Sequence, residues 1–126
     1  MDKSQVDEWL ARYVEAWKTY ERDAILALFG DEAEYRYHAY DEPVRGRDAI
    51  ADAWLSERDV VGRYDGSYET VAVDGEVAVA VGTSTYLAAD GSVDRVYENV
   101  FVMRFDPDGR CRSFTEWYVK RPARTG

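Results

Sequence analysis

The sequence holds a single cysteine, Cys111, and a single histidine, His38. The lone cysteine excludes an intrachain disulfide, and its strand-like surroundings suit a small buried filler rather than a nucleophile. The lone histidine excludes a histidine-based metal cluster. A Ser-His-Asp triad would need His38, and no Gly-x-Ser-x-Gly elbow accompanies it. No run of about 18 apolar residues occurs, and the first residues lack a signal-peptide core, so a soluble cytoplasmic protein is expected. There is no glycine-rich phosphate loop, and the scattered acids lack calcium-loop or carboxylate–metal spacing. No metal and no cofactor are therefore expected. Positive charge is also scarce. A formal net charge of −9 argues against nucleic acid or an anionic membrane as partner, since both need clustered Lys and Arg. Basic residues outnumber acidic ones only beyond residue 103, where Lys120, Arg121 and Arg124 read as a solvated end.

Aromatic residues are abundant. Four Trp, ten Tyr and four Phe make up 14% of the chain. Such residues bring large buried area, and Tyr and Trp add a polar tip that wants a partner. They serve either as bulky core filler or as the walls of a cavity. A length of 126 residues favours one domain, expected over 1–121, with a flexible tail at 122–126.

The first half reads as helical. Val6, Trp9, Leu10, Tyr13, Val14, Trp17 and Tyr20 recur at spacings of three and four, one wide helix face. Ser4 and Asp7 read as a capping-box start. A short helix is expected through residues 24–29, with Gly30 as its C-terminal cap. Residues 33–38 alternate as a strand, and a third helix carries Ile50, Ala53, Trp54 and Leu55. The second half reads as strands near 64–73, 76–88, 94–105 and 111–120. Asp-Gly pairs at 74–75, 90–91 and 108–109 separate them, and such pairs mark hairpins because the turn needs positive φ. Three helices on one side of a meander give an α+β fold.

Period two divides strand 94–105 into two faces. Arg95, Tyr97, Asn99, Phe101, Met103 and Phe105 form the bulkier face, expected inward. Asn99 then needs a hydrogen-bond partner, because an unpaired buried amide costs about 1–3 kcal/mol. The opposite face carries Val96, Val100 and Val102. With Trp117 it reads as a homodimer surface. Strand 111–120 is ambiguous, since both of its faces carry large apolar groups.

These elements resemble the NTF2-like superfamily, the SnoaL-like and ketosteroid-isomerase-like cone folds. The likeness rests on 12–17 (Arg-Tyr-Val-Glu-Ala-Trp), on 25–29 followed by Asp31, Glu32 and Ala33, and on Pro43 with Arg45-Gly46 and Ala49-Ile50. Met103-Arg104-Phe105 and the turn ending at Gly109 extend it over about residues 6–120. The resemblance implies a cone-shaped, curved antiparallel sheet with the three helices on its concave face. It also implies that Tyr13 falls on the isomerase's oxyanion-hole tyrosine, while Tyr37 and Phe101 replace its two acids. Steroid isomerisation by that mechanism is not expected, and the Asp/Arg and His/Asp sets of limonene epoxide hydrolase and scytalone dehydratase are not seen. The resemblance turns Phe114, Glu116 and Tyr118 inward.

The expected site therefore has Tyr13, Asn99 and Glu116 as its polar groups and Trp17, Tyr37, Trp54, Phe101, Met103, Phe114 and Tyr118 as its walls. A carboxylate in an aromatic cavity is desolvated, which raises its pKa toward that of a useful acid or base. Glu116 equally fits a solvent-facing partner of an arginine. His38, one residue past the isomerase base position, is expected to point away from the pocket. The functions that remain are a cofactor-free isomerase, dehydratase or cyclase on a small apolar carbonyl compound, a non-catalytic ligand pocket, and a dimerisation domain.

Overall fold

The first helix begins two residues before its expected start. In the computed structural model, which describes residues 1–56 and 62–122, α1 spans Lys3–Thr19. Its N-cap is Asp2 rather than Ser4. The Asp2 carboxylate accepts from the Gln5 amide, and the Gln5 side chain accepts from the Asp2 amide. This closes a capping box with glutamine in the third position. Tyr20 ends the helix in the left-handed region, at φ 54°.

Helix α2 (Arg22–Leu28) runs straight into β1 (Phe29–Arg36). Phe29 is its C-cap, and Gly30 lies inside the strand. A Cβ on Gly30 would meet the Asp106 carboxylate at 2.7 Å, so the glycine serves close approach rather than capping. A two-residue strand, β2 (Val44–Arg45), leads into α3 (Arg47–Ser56). Then follow β3 (Tyr64–Asp74), β4 (Val77–Leu87), β5 (Val93–Phe105) and β6 (Cys111–Lys120). Gly75, Gly91 and Gly109 all take positive φ in the three Asp-Gly turns, as the sequence requires. Of the tail expected at 122–126, including Arg124, residues 123–126 lie outside the described residues.

The sheet is mixed, curved and open, in the order β2-β1-β6-β5-β4-β3. The four long strands pair antiparallel, as expected. β1 adds to β6 in parallel, which the strand patterns do not distinguish. The helices cover one face, with α1 against β3 and α3 against β1. Between helices and sheet lies an aromatic core. Trp9 is fully buried, stacks near Tyr13, meets Phe29 and Phe105 edge-on, and donates its indole N–H to the Leu28 carbonyl at 2.9 Å. Among the described residues no helix is long and apolar enough to cross a membrane.

A bulge resolves the ambiguity of the last strand. Arg104 pairs with Ser113 but Phe105 pairs with Cys111, so Arg112 is an extra residue. The parity of β6 switches there, and both Cys111 and Phe114 point into the core. Burial pushes the Cys111 thiol up to about 12, so it stays protonated and packs as a small apolar group.

Candidate functional site

β6 delivers Glu116 to the concave face, directly across from Phe101 on β5. The residue is half-buried, and loss of solvent around its carboxyl raises the pKa from the ordinary carboxylate range to about 7. His38 and a hydrogen bond from Asn99 oppose that rise. Asn99 Nδ2 donates to Glu116 Oε2 at 3.4 Å.

The other end of Asn99 is held by a chain of hydroxyls. Ser84 Oγ donates to Asn99 Oδ1 at 2.8 Å. Ser84 has one proton, so Tyr68 must donate to Ser84, at 2.5 Å. Tyr68 is then spent in turn, and Tyr64 donates to it at 2.7 Å. The chain crosses β3, β4 and β5 and fixes the Asn99 amide with its NH₂ toward Glu116. The buried amide is thus satisfied, as its place among apolar neighbours demanded.

Two hollows that share lining residues flank Glu116. The outer one has a volume of about 410 Å³, within the range of about 300–1,000 Å³ usual for small-molecule sites. It is lined by His38, Asp41, Arg95, Asn99 and Tyr118, among others. The inner one, about 110 Å³, is bounded by Tyr13, Trp17, Tyr35 and Tyr68. Glu116, Tyr37, Ser84 and Tyr86 line both. In the inner hollow the Tyr13 and Tyr35 hydroxyls lie 3.3 Å apart. Burial pushes both phenols well above their ordinary range, so they are neutral at physiological pH.

Tyr13 and Glu116 therefore meet in the inner hollow, and Asn99 and Glu116 in the outer one. Trp17, Tyr37 and Tyr118 are wall residues. Trp54, Phe101, Met103 and Phe114 are not: all four are fully buried in the core behind the walls. The expected apolar pocket is instead aromatic but rich in hydroxyls, because tyrosines reach the surface of the hollow while Phe, Met and Trp54 fill the space beneath. The sequence also missed His38. β1 ends at Arg36, so strand alternation no longer governs residues 37 and 38, and both side chains reach the hollow. His38 Nδ1 lies 2.9 Å from Asp41 Oδ2, and its Nε2 lies 2.8 Å from the Tyr118 hydroxyl. Among the described residues, no group of three or more His, Cys, Asp or Glu side chains is placed to hold a metal.

A bent open sheet with helices on one face and a desolvated carboxylate in a tyrosine-lined hollow defines a cone-fold pocket domain. Residues 10–114 match the model of the SnoaL-like domain, and the chain belongs to that family. Among solved structures it is similar to an NTF-2 like protein of unknown function from Burkholderia xenovorans, with 15% identity and a TM-score of 0.72 over 98% of this chain and 89% of that one. It is likewise similar to SalBIII, an epoxide hydrolase/cyclase-like enzyme in pyran ring formation in the polyether salinomycin. That match has 19% identity and a TM-score of 0.73 over 94% of this chain and 93% of the other. No curated protein matches the chain.

Proposed function

We propose that this SnoaL-like domain is a cofactor-independent proton-transfer enzyme, an isomerase, dehydratase or cyclase. Its substrate is a small, mostly apolar, ring-bearing compound with a carbonyl. The observation that carries this reading is Glu116, a carboxyl raised to about 7 at the junction of two hollows. A base of that pKa is half ionised near neutral pH and transfers protons in both directions. Asn99 steers one carboxylate oxygen, leaving the other for substrate. Tyr13 and Tyr35 share one hydrogen bond, so one of the two hydroxyl protons is left to polarise a carbonyl in the inner hollow. The likeness to an epoxide hydrolase/cyclase-like enzyme supports a scaffold that accommodates ring closure.

The test uses a probe with an aromatic ring and a β-hydroxy ketone, the aldol adduct of benzaldehyde and acetone. Exchange of its α-hydrogens for deuterium in heavy water is read by NMR. Wild-type protein is expected to accelerate exchange, and Glu116→Gln to abolish the acceleration while retaining the fold. Equal exchange by both proteins would leave a binding pocket without this chemistry.

A further inference from the structure

Reactions of this class remove one proton and deliver another, and Glu116 performs one of these tasks at a time. The outer hollow holds a second ionisable set. Asp41 and His38 are joined within one turn, where the Asp41 amide also donates to the His38 carbonyl at 3.0 Å. The Arg36 guanidinium donates to the Asp41 carbonyl from outside at 3.3 Å, and Tyr40 stacks on the imidazole at 5.1 Å. The ring is thus fixed from several sides.

The proton positions follow from the partners. An ionised Asp41 carboxylate only accepts, so His38 carries its proton on Nδ1. In the neutral ring Nε2 then accepts, and the Tyr118 hydroxyl donates to it. When the imidazole is protonated, Nε2 donates instead, and the phenolic proton is released toward the hollow. The His38 side chain is 37% exposed, so it exchanges protons with water. Tyr118 stands on the same strand face as Glu116, two residues along, and lines the same hollow. Asp41, Tyr118 and Tyr40 contact the His38 ring, Arg36 holds the Asp41 carbonyl, and Glu116 and Arg95 line the same hollow.

We propose that Asp41, His38 and Tyr118 form a proton-delivery path from solvent to substrate, in the same outer hollow as Glu116. The inference rests on the reading of Glu116 as the base. For a β-hydroxy ketone the steps balance as follows. Glu116 takes the α-proton, the C–H electrons form the C=C bond, and the C–O bond breaks with its electrons on oxygen. That oxygen takes the Tyr118 proton and leaves as water. The Tyr118 oxygen takes the Nε2 proton of His38, and the neutral imidazole is recharged from solvent while Glu116 returns its proton to water. Tyr118 is the catalytic group of the path. His38 and Asp41 act through it.

The same probe separates the two roles, because α-hydrogen exchange needs the base but no acid at the leaving oxygen, and loss of water, read by the absorbance of benzylideneacetone, needs both. Tyr118→Phe and His38→Ala are each expected to lose at least tenfold more in dehydration than in α-exchange, so that the ratio of the two rates falls. Added imidazole should restore dehydration in His38→Ala and not in Tyr118→Phe. Histidine-selective nitrogen labelling gives the signal of one residue in this chain. In the neutral form it should show a protonated Nδ1 and an Nε2 signal that moves in Tyr118→Phe. Dehydration unchanged in Tyr118→Phe, or a neutral imidazole protonated on Nε2, would overturn the path and leave the Glu116 reading standing. Dehydration that survives Glu116→Gln but falls in Tyr118→Phe would overturn the base and keep the path.

Discussion

Asn99 Nδ2 lies 3.4 Å from Glu116 Oε2, and the opposite end of the same amide accepts from Ser84 at 2.8 Å. The amide therefore couples a hydroxyl chain on β3 and β4 to the ionised form of Glu116. Asn99→Leu removes a donor that favours that form. The midpoint of Glu116 should rise further above about 7, and the stranded Ser84 hydroxyl should cost about 1–3 kcal/mol in urea denaturation. An unchanged midpoint would show that the amide does not face the carboxyl.

Glu116 should weaken the fold that holds it. Its folded pKa lies above its unfolded value, so the native state binds the proton more tightly. Stability is full below pH 4.5, falls as pH rises through the interval from 4.5 to about 7, and levels off above it. Glu116→Gln removes this penalty. The variant should gain about 1–3 kcal/mol over wild type at pH 8 and nothing at pH 4, measured by chemical denaturation at both values.

Gly82 leaves no room for a side chain between its neighbouring strands. It pairs with Tyr68 on one side and Asn99 on the other, and a Cβ there would meet the Tyr68 Cα at 2.7 Å and the Ser67 carbonyl more closely still. The obstruction is backbone, which cannot rotate away. Gly82→Ala should cost about 1–3 kcal/mol and displace the Tyr68–Ser84–Asn99 chain, lowering thermal stability and α-exchange together. A variant as stable as wild type would mean the strands can separate without loss.

The outer face of the sheet carries Val81, Val100 and Trp117 side by side on β4, β5 and β6, each at least 39% exposed, with half-buried Val96 and Val102 nearby. An apolar row of this kind suits association with a second copy. We expect a homodimer by light scattering at micromolar concentration, converted to monomer by Val100→Glu. A wild-type monomer would exclude this use of the face.

The legible parts of this fold were those set by local chemistry. Positive φ at Gly75, Gly91 and Gly109 is a property of the Asp-Gly turn itself, and the inward face of β5 follows from alternation alone. What the sequence concealed depends on partners distant in the chain. The parallel pairing of β1 with β6 joins residues 29–36 to residues 111–115. The bulge at Arg112 exists only relative to β5, so the strand's two faces could not be told apart by composition. Periodicity alone turns Tyr13 and Asn99 inward, whereas the inward turn of Glu116 rests on the family resemblance. The direction of His38 was not legible, because it depends on β1 stopping at Arg36, and nothing in an alternating run marks the last paired residue.

The proposed chemistry stands on the ionisation of Glu116 more than on any other single property. Its side-chain carboxyl carbon shift, followed by NMR from pH 3 to pH 9 and identified by its absence in Glu116→Gln, reports that ionisation directly. A midpoint near 7 is the predicted result. A midpoint in the ordinary carboxylate range, near 4.5, would mean that water reaches the carboxyl freely, and the case for Glu116 as a base tuned to neutral pH would be lost.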